Sequence, residues 1–198
     1  MTQTEWEVLD SAHRAMREAV AQVGPGDWGL ATPCEQWNVA QVLQHAAGDQ
    51  LAYAAKLTGG DGPAYDPFDP KGTFDEGVTP TALLEAALTR TTAAFAEVAP
   101  DAVDVPVPLP PFALPAAQAV GAAALDAAVH AWDIAVATGG RSPLTGELAR
   151  ALHPVALALA EPLRGFAFAD ALAPPADGDE AAALLHYLGR RADWAPTG

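Results

Sequence analysis

The chain has 198 residues, the length of one domain at roughly 100 to 200 residues per domain. With 51% hydrophobic and only 18% charged residues, it is too apolar to remain disordered and must fold by burying surface. Its 25 acidic against 10 basic residues leave a net charge of −15, which repels polyanions and excludes nucleic acid as a partner.

Residues 1–10 show neither the basic stretch nor the apolar core of a signal peptide. No uninterrupted apolar run reaches the roughly 18 residues that cross a bilayer, so a cytoplasmic protein without membrane contact is expected. Over residues 4–23, Trp6, Leu9, His13, Met16, Val20 and Val23 recur at spacings of three and four, the stripe of an amphipathic helix that Gly24-Pro25-Gly26 ends. His13 lies on that stripe, where a satisfied core histidine is expected, with a fourth metal ligand as the alternative. Cys34 is alone, so no intrachain disulfide and no thiolate cluster can form. It precedes a helix start that could favour a thiolate, and a small buried apolar group is the other reading. That second helix has clear start chemistry, with Asn38 to cap, Gln41 to return the bond and Trp37 to staple onto Val42, and should run over residues 38–57.

Residues 64–77 have the Pro, Asp and Gly content of a surface loop. Thr79 and Pro80 open a third helix, carried to Phe95 and closed at Ala99-Pro100. Residues 100–115 contain six prolines and read as an extended loop, either a rim over a site or a rigid crossover. The fourth helix, residues 116–138, is almost entirely Ala, Val, Leu and Ile, and a helix apolar all round is a buried one. Helical pieces over residues 145–152 and 154–164, broken at Pro154 and Pro162, and a short helix capped by Asp177 with Glu180 and ending at Gly189, should pack outside. There is no β pattern. The sum is an all-α chain, one domain over residues 1–198, built as an antiparallel or crossover four-helix bundle with small helices appended.

The chemistry concentrates on that buried helix. At 100° per residue, Asp126 and His130 lie about 40° apart on one face, with Asp133 in the same stripe. Unpartnered ionisable groups in apolar surroundings cost several kcal/mol, so this face is paired, metallated or open to a wet cavity. An acid and a histidine at i and i+4 can share an ion with a ligand on a facing helix, and His45, midway along the second helix, is the candidate. Two histidines and one carboxylate would leave positions open, the pattern of a catalytic zinc or iron site. The alternative is a hydrogen-bonded Asp126–His130 pair without metal. Trp28, Trp37 and Trp132 either wall a pocket or pack the core, while His153 and His186 read as structural.

Two motifs carry a family resemblance: Thr32-Pro33-Cys34-Glu35-Gln36-Trp37-Asn38-Val39 with Val42-Leu43-Gln44-His45 and Gly48, and His130-Ala131-Trp132-Asp133-Ile134-Ala135 with Ala137-Thr138-Gly139. The chain resembles the actinobacterial metal-binding proteins related to mycothiol-dependent maleylpyruvate isomerase, in the DinB-like superfamily. The likeness extends to the tail, Leu184-Leu185-His186-Tyr187-Leu188-Gly189-Arg190. It implies a four-helix bundle holding a divalent metal, zinc before nickel or iron, on His45, Asp126 and His130, where the isomerases usually have Glu in place of Asp126. Those isomerases carry a further C-terminal domain that this sequence, ending at Gly198, does not show, so a reaction other than maleylpyruvate isomerisation is expected.

The expected function is a divalent-metal enzyme in which a thiol such as mycothiol, or a water, loses its proton at the open metal position. Asp133 would accept that proton or orient a ligand, and the reaction would be thiol transfer or thiol-assisted isomerisation of a small molecule, by a monomer or homodimer. A hydrolase or cyclase on the same scaffold, or a non-catalytic metal-containing protein that binds a small molecule for self-resistance, are the alternatives.

Overall fold

The computed structural model describes residues 6–176 and 178–196. Four long helices dominate: α1 (Glu7–Ala21), α2 (Val39–Thr58), α3 (Pro80–Ala96) and α4 (Ala116–Ala137). Thr4, where the first helix was expected to begin, lies outside the described residues. The local chemistry acts as expected at α2, where the Asn38 side chain accepts from the Gln41 backbone N–H at 2.9 Å and Gln41 Oε1 accepts from the Asn38 N–H at 3.0 Å. Gly59, at φ 69°, closes the helix in the left-handed region. Thr79 caps α3, accepting from the Ala82 N–H.

Helix α1 packs on α3 and α4, and α2 packs on the same two. The four therefore form a ring in which consecutive helices, α1 with α2 and α3 with α4, stand diagonally opposed. Both connections must cross the end of the bundle, which is why residues 22–38 and 97–115 are long. Of the two topologies expected, this is the crossover one.

Helix α4 is the core element, buried from Ala116 to Ala137 on nearly every side. As a whole helix it is long and apolar enough to cross a bilayer, but 89% of its most apolar stretch is covered by the bundle. A polar interruption at Asp126, His130 and Asp133 breaks its apolar run. Its alanines and Gly121 allow close approach of neighbours; a Cβ on Gly121 would stand 2.5 Å from Val155 Cγ2 of the helix that follows.

Three expectations need correction. The helix after Thr145 is one element, α5 (Gly146–Leu159), and runs through Pro154. Both Pro154 and Arg150, whose carbonyl loses its partner, lie on the exposed face, so water can satisfy the freed acceptor. A turn of 3-10 helix (Glu161–Leu163) follows. The final helix, α6 (Glu180–Tyr187), is capped by Asp179 and not by Asp177, which lies outside the described residues. The proline-rich stretch also contains a small antiparallel pair, β1 (Val105–Pro106) with β2 (Ala113–Leu114), Val105 opposite Leu114. Two-residue strands are too short for alternation to register in a sequence.

Loss of the α2 capping box tests how much this local chemistry contributes. Asn38→Ala should lower stability by about 1 kcal/mol, read from the urea unfolding midpoint with unchanged slope. An unchanged midpoint would mean that tertiary packing alone holds the helix start.

Candidate metal centre

Helices α2 and α4 face one another in the ring and bring His45, Asp126 and His130 together. Donor atoms of the three lie within 4.8 Å of one another. His45 Nε2 is 3.6 Å and His130 Nε2 3.4 Å from Asp126 Oδ1, too long for good N–H···O hydrogen bonds. They match the spacing of two ligands on one tetrahedral ion, about 3.3 to 3.6 Å for bonds of 2.0 to 2.2 Å. Asp126 Oδ2 is fully buried and has no hydrogen-bond partner, a costly state for a carboxylate oxygen unless something else binds it. This donor set could hold a metal ion.

The ring orientations support that fit. His45 Nδ1 lies 2.9 Å from the carbonyl oxygen of Pro67, which can only accept, so Nδ1 carries a hydrogen and Nε2 faces Asp126. His130 Nδ1 lies 2.9 Å from Asp133 Oδ2, giving the same arrangement. Asp133 is in turn held by Arg190, which donates from Nε to Oδ1 and from Nη2 to Oδ2, each at 3.0 Å. Each histidine thus presents Nε2 to a common point while its other nitrogen is tied down, as metal-binding histidines generally are.

A strap over residues 64–77, expected only as surface loop, sets His45. Gln41 and Gln44 donate to the carbonyls of Pro70 and Thr73, the Tyr65 hydroxyl donates to the Gln44 carbonyl, and the Gly72 N–H donates to Gln44 Oε1. Gly48 admits the strap: a Cβ there would stand 2.8 Å from Pro67 Cγ and 2.9 Å from Pro67 Cβ. His45 is packed between Trp37, at 4.5 Å between ring centroids, and Phe68, at 5.3 Å.

The donor set forms the polar floor of a cavity of about 90 Å³, room for several waters or a small ligand end. The proline-rich loop is its rim, through Val107, Leu109 and Pro110, so of the two readings of that loop the rim is the one found. Asp133 lies behind His130, wholly buried, and is not among the lining residues. Two lining residues were missed from sequence. Asp49, 6% exposed, places Oδ2 at 3.9 Å from His45 Nε2; its i+4 spacing from His45 repeats that of Asp126 and His130 and was a usable signal. Arg190 comes from the turn after α6; it closes the tail motif, which was a usable signal, but no spacing to another charged group marks it.

Protonation follows the same geometry. Burial opposes a charged His45 ring, but Asp126, then Asp49 and the Pro67 carbonyl, outweigh it and raise the group to about 9. Burial also works against the charge of Asp126, yet His45, His130 and Arg190 hold it below the ordinary carboxylate range. Asp133 is held low against burial by Arg190 and His130. Burial, then the like charge of Asp126, pushes Asp49 up to about 7.

The remaining candidates lie elsewhere. His13 is a core histidine, with Nε2 at 2.9 Å from Gln50 Oε1 and Nδ1 at 3.2 Å from Thr92 Oγ1. His186 Nδ1 donates to the Ala173 carbonyl, and His153 packs on Tyr187. Of the three tryptophans, Trp37 backs His45 from outside, Trp28 packs on Phe74 and Trp132 is in the core, and none lines the cavity. Cys34 is partly buried, and burial, then Asp133, pushes its thiol up to about 11. The helix start therefore does not make it a thiolate.

Comparison with known proteins agrees with this architecture. The family model of the mycothiol maleylpyruvate isomerase N-terminal domain matches residues 9–135, which include His45, Asp126 and His130. Two curated relatives, uncharacterised proteins of Mycobacterium tuberculosis strains CDC 1551 / Oshkosh and ATCC 25618 / H37Rv, are each 30% identical over 186 residues, covering 90% of this chain and 96% of the relative. No solved structure gives a significant match.

Two measurements follow. Because the raised His45 must give up a proton to bind a metal, zinc affinity should climb through the interval from about 6.5 to about 9, with about one proton released near neutrality. Calorimetry in buffers of different ionisation enthalpy reads this directly, and an affinity that levels off near the ordinary histidine value would contradict it. Cys34 should react with iodoacetamide at least about tenfold more slowly in the folded protein than in urea; equal rates would place an accessible thiolate there.

Proposed function

The chain belongs to the mycothiol maleylpyruvate isomerase N-terminal domain family, in the DinB-like superfamily, and on that premise we propose that it is a divalent-metal-dependent enzyme acting on a small molecule by thiol transfer or thiol-assisted isomerisation. The observation that carries this reading is the convergence of two oriented Nε2 atoms on Asp126 Oδ1, the carboxylate's other oxygen being buried without a partner, among side chains that line a cavity. His45, Asp126 and His130 would hold the ion, with zinc first and nickel or iron next, since two imidazoles and a carboxylate suit several first-row metals. A divalent ion so held supplies Lewis acidity, making a thiol such as mycothiol, or a water, a nucleophile near neutral pH.

The protein's own groups divide the remaining work. Asp133 acts through His130: charged and fixed by Arg190, it accepts the Nδ1 hydrogen and keeps Nε2 aimed at the floor. The Pro67 carbonyl does the same for His45. Asp49 is the acid that faces the cavity without serving in the donor set, within reach of a ligand seated beside His45. Its carboxylate takes the proton that the incoming thiol or water gives up. The apolar rim limits the water that competes with the nucleophile.

Protein purified without chelator or histidine tag should hold about one divalent ion per chain, and His130→Ala should lose it while keeping its helix content. Asp133→Asn should weaken metal affinity by about 10 to 100-fold. Asp49→Asn should keep the metal, but in the cobalt-loaded protein the thiolate-to-metal absorption given by 2-mercaptoethanol should appear only at higher pH than in the unaltered protein. Metal well below stoichiometry after reconstitution with each ion would overturn the assignment.

A further inference from the structure

The walls of the cavity differ sharply from its floor. Above His45, Asp49, Asp126 and His130 the lining is apolar, with Phe68, Leu109, Leu125, Val129, Leu163 and Phe168 around it. Phe68, 38% exposed, stacks on Phe166, 66% exposed, at 5.4 Å between centroids and a tilt of 34°. Phe68 lines the cavity and Phe166, which does not, packs against it from the solvent side.

The charges are equally uneven. Among the described residues the only cationic side chain lining the cavity apart from the histidines is Arg190, and its charge is paired with Asp133, to which Nε and Nη2 donate. Two carboxylates, Asp49 and Asp126, face the same space. A divalent ion would be balanced by those two, and Arg190 by Asp133, so the loaded cavity keeps no positive charge for an anionic substrate. Bringing a dianion into such a space leaves its charge unpaired, a cost of several kcal/mol.

We propose that the cavity selects a small, uncharged molecule with an apolar, ring-sized body, held at the mouth by Phe68 with Phe166 bracing that ring, and that it rejects dicarboxylates. This deepens the metal-enzyme reading and rests on it for the floor, while the walls are independent of any metal.

The test uses zinc-loaded full-length protein and three probes: benzohydroxamate, acetohydroxamate and maleate. The two hydroxamates share a metal-binding head and differ in body, so benzohydroxamate should bind at least about tenfold more tightly, and maleate should not displace it. Phe166→Ala, a change at an exposed position that leaves the fold intact, should remove at least about fivefold of the benzohydroxamate affinity and leave acetohydroxamate unchanged. Equal affinities for the two hydroxamates, displacement by maleate, or a Phe166→Ala variant that behaves as the parent would each overturn the proposal while leaving the metal reading in place. Metal-free protein separates the two claims. Benzyl alcohol binding seen by ligand-observed NMR, in a chain that takes up no metal, would retain the apolar cavity and end the enzyme reading; no binding by metal-free protein would overturn the apolar selection.

Discussion

A carboxylate in the middle of a buried, alanine-rich helix governs this protein. Asp126 is held charged against burial by two histidines and a more distant arginine, and one of its oxygens has no partner at all. A charge in such surroundings survives only if the rest of the fold supplies compensation. The compensation comes from four separate segments: His45 from α2, His130 one turn along α4, Arg190 from the C-terminal turn, and Pro67 from the strap that orients His45. The requirement to bring these to one point explains why the connections fold back onto the site instead of running free over the surface.

The two histidines are oriented by different means. His130 is set within its own helix, by Asp133 at i+3, and that short-range pair is anchored to the tail through Arg190. His45 is set across the chain, by a backbone carbonyl 22 residues away. The second device depends on a glycine: only with no Cβ at Gly48 can Pro67 come close enough for its carbonyl to reach His45. Loop and floor are therefore one unit. Gln41, whose side chain closes the α2 capping box, also donates to the strap at Pro70, so the helix start and the ligand geometry share a residue.

Membership of the isomerase N-terminal domain family agrees with the bundle, within whose matched span His45, Asp126 and His130 fall, whereas the cavity above the floor is lined mainly by apolar side chains. Family membership fixes the fold and not the substrate, which depends on the side chains around the floor. The rim comes from the proline-rich crossover and from the segment after α5, both outside the packed faces of the four-helix ring.

The extent to which the sequence alone was informative follows from the range of the interactions. Helix limits at α2, α3 and α4 were legible because caps, glycines and apolar periodicity act over three or four residues, and the His45, Asp126 and His130 group was legible because i, i+4 spacing places Asp126 and His130 on one face and apolar surroundings made their charge conspicuous. Asp49 carried the same spacing and could have been read. The crossover order of the ring, the continuity of α5 through Pro154 and the strap over His45 were decided in three dimensions, where solvent exposure of one carbonyl or the absence of one Cβ sets the outcome. Arg190 shows the division most clearly. The tail motif ends on it and not on Arg191, but no local spacing or charge says why, and one guanidinium is buried against Asp133, 57 residues away, while the other pairs at the surface with Asp193. Local spacing determines which side chains can share a face, but only the packing of distant segments decides which charge is taken out of water, because desolvation depends on everything that surrounds the group.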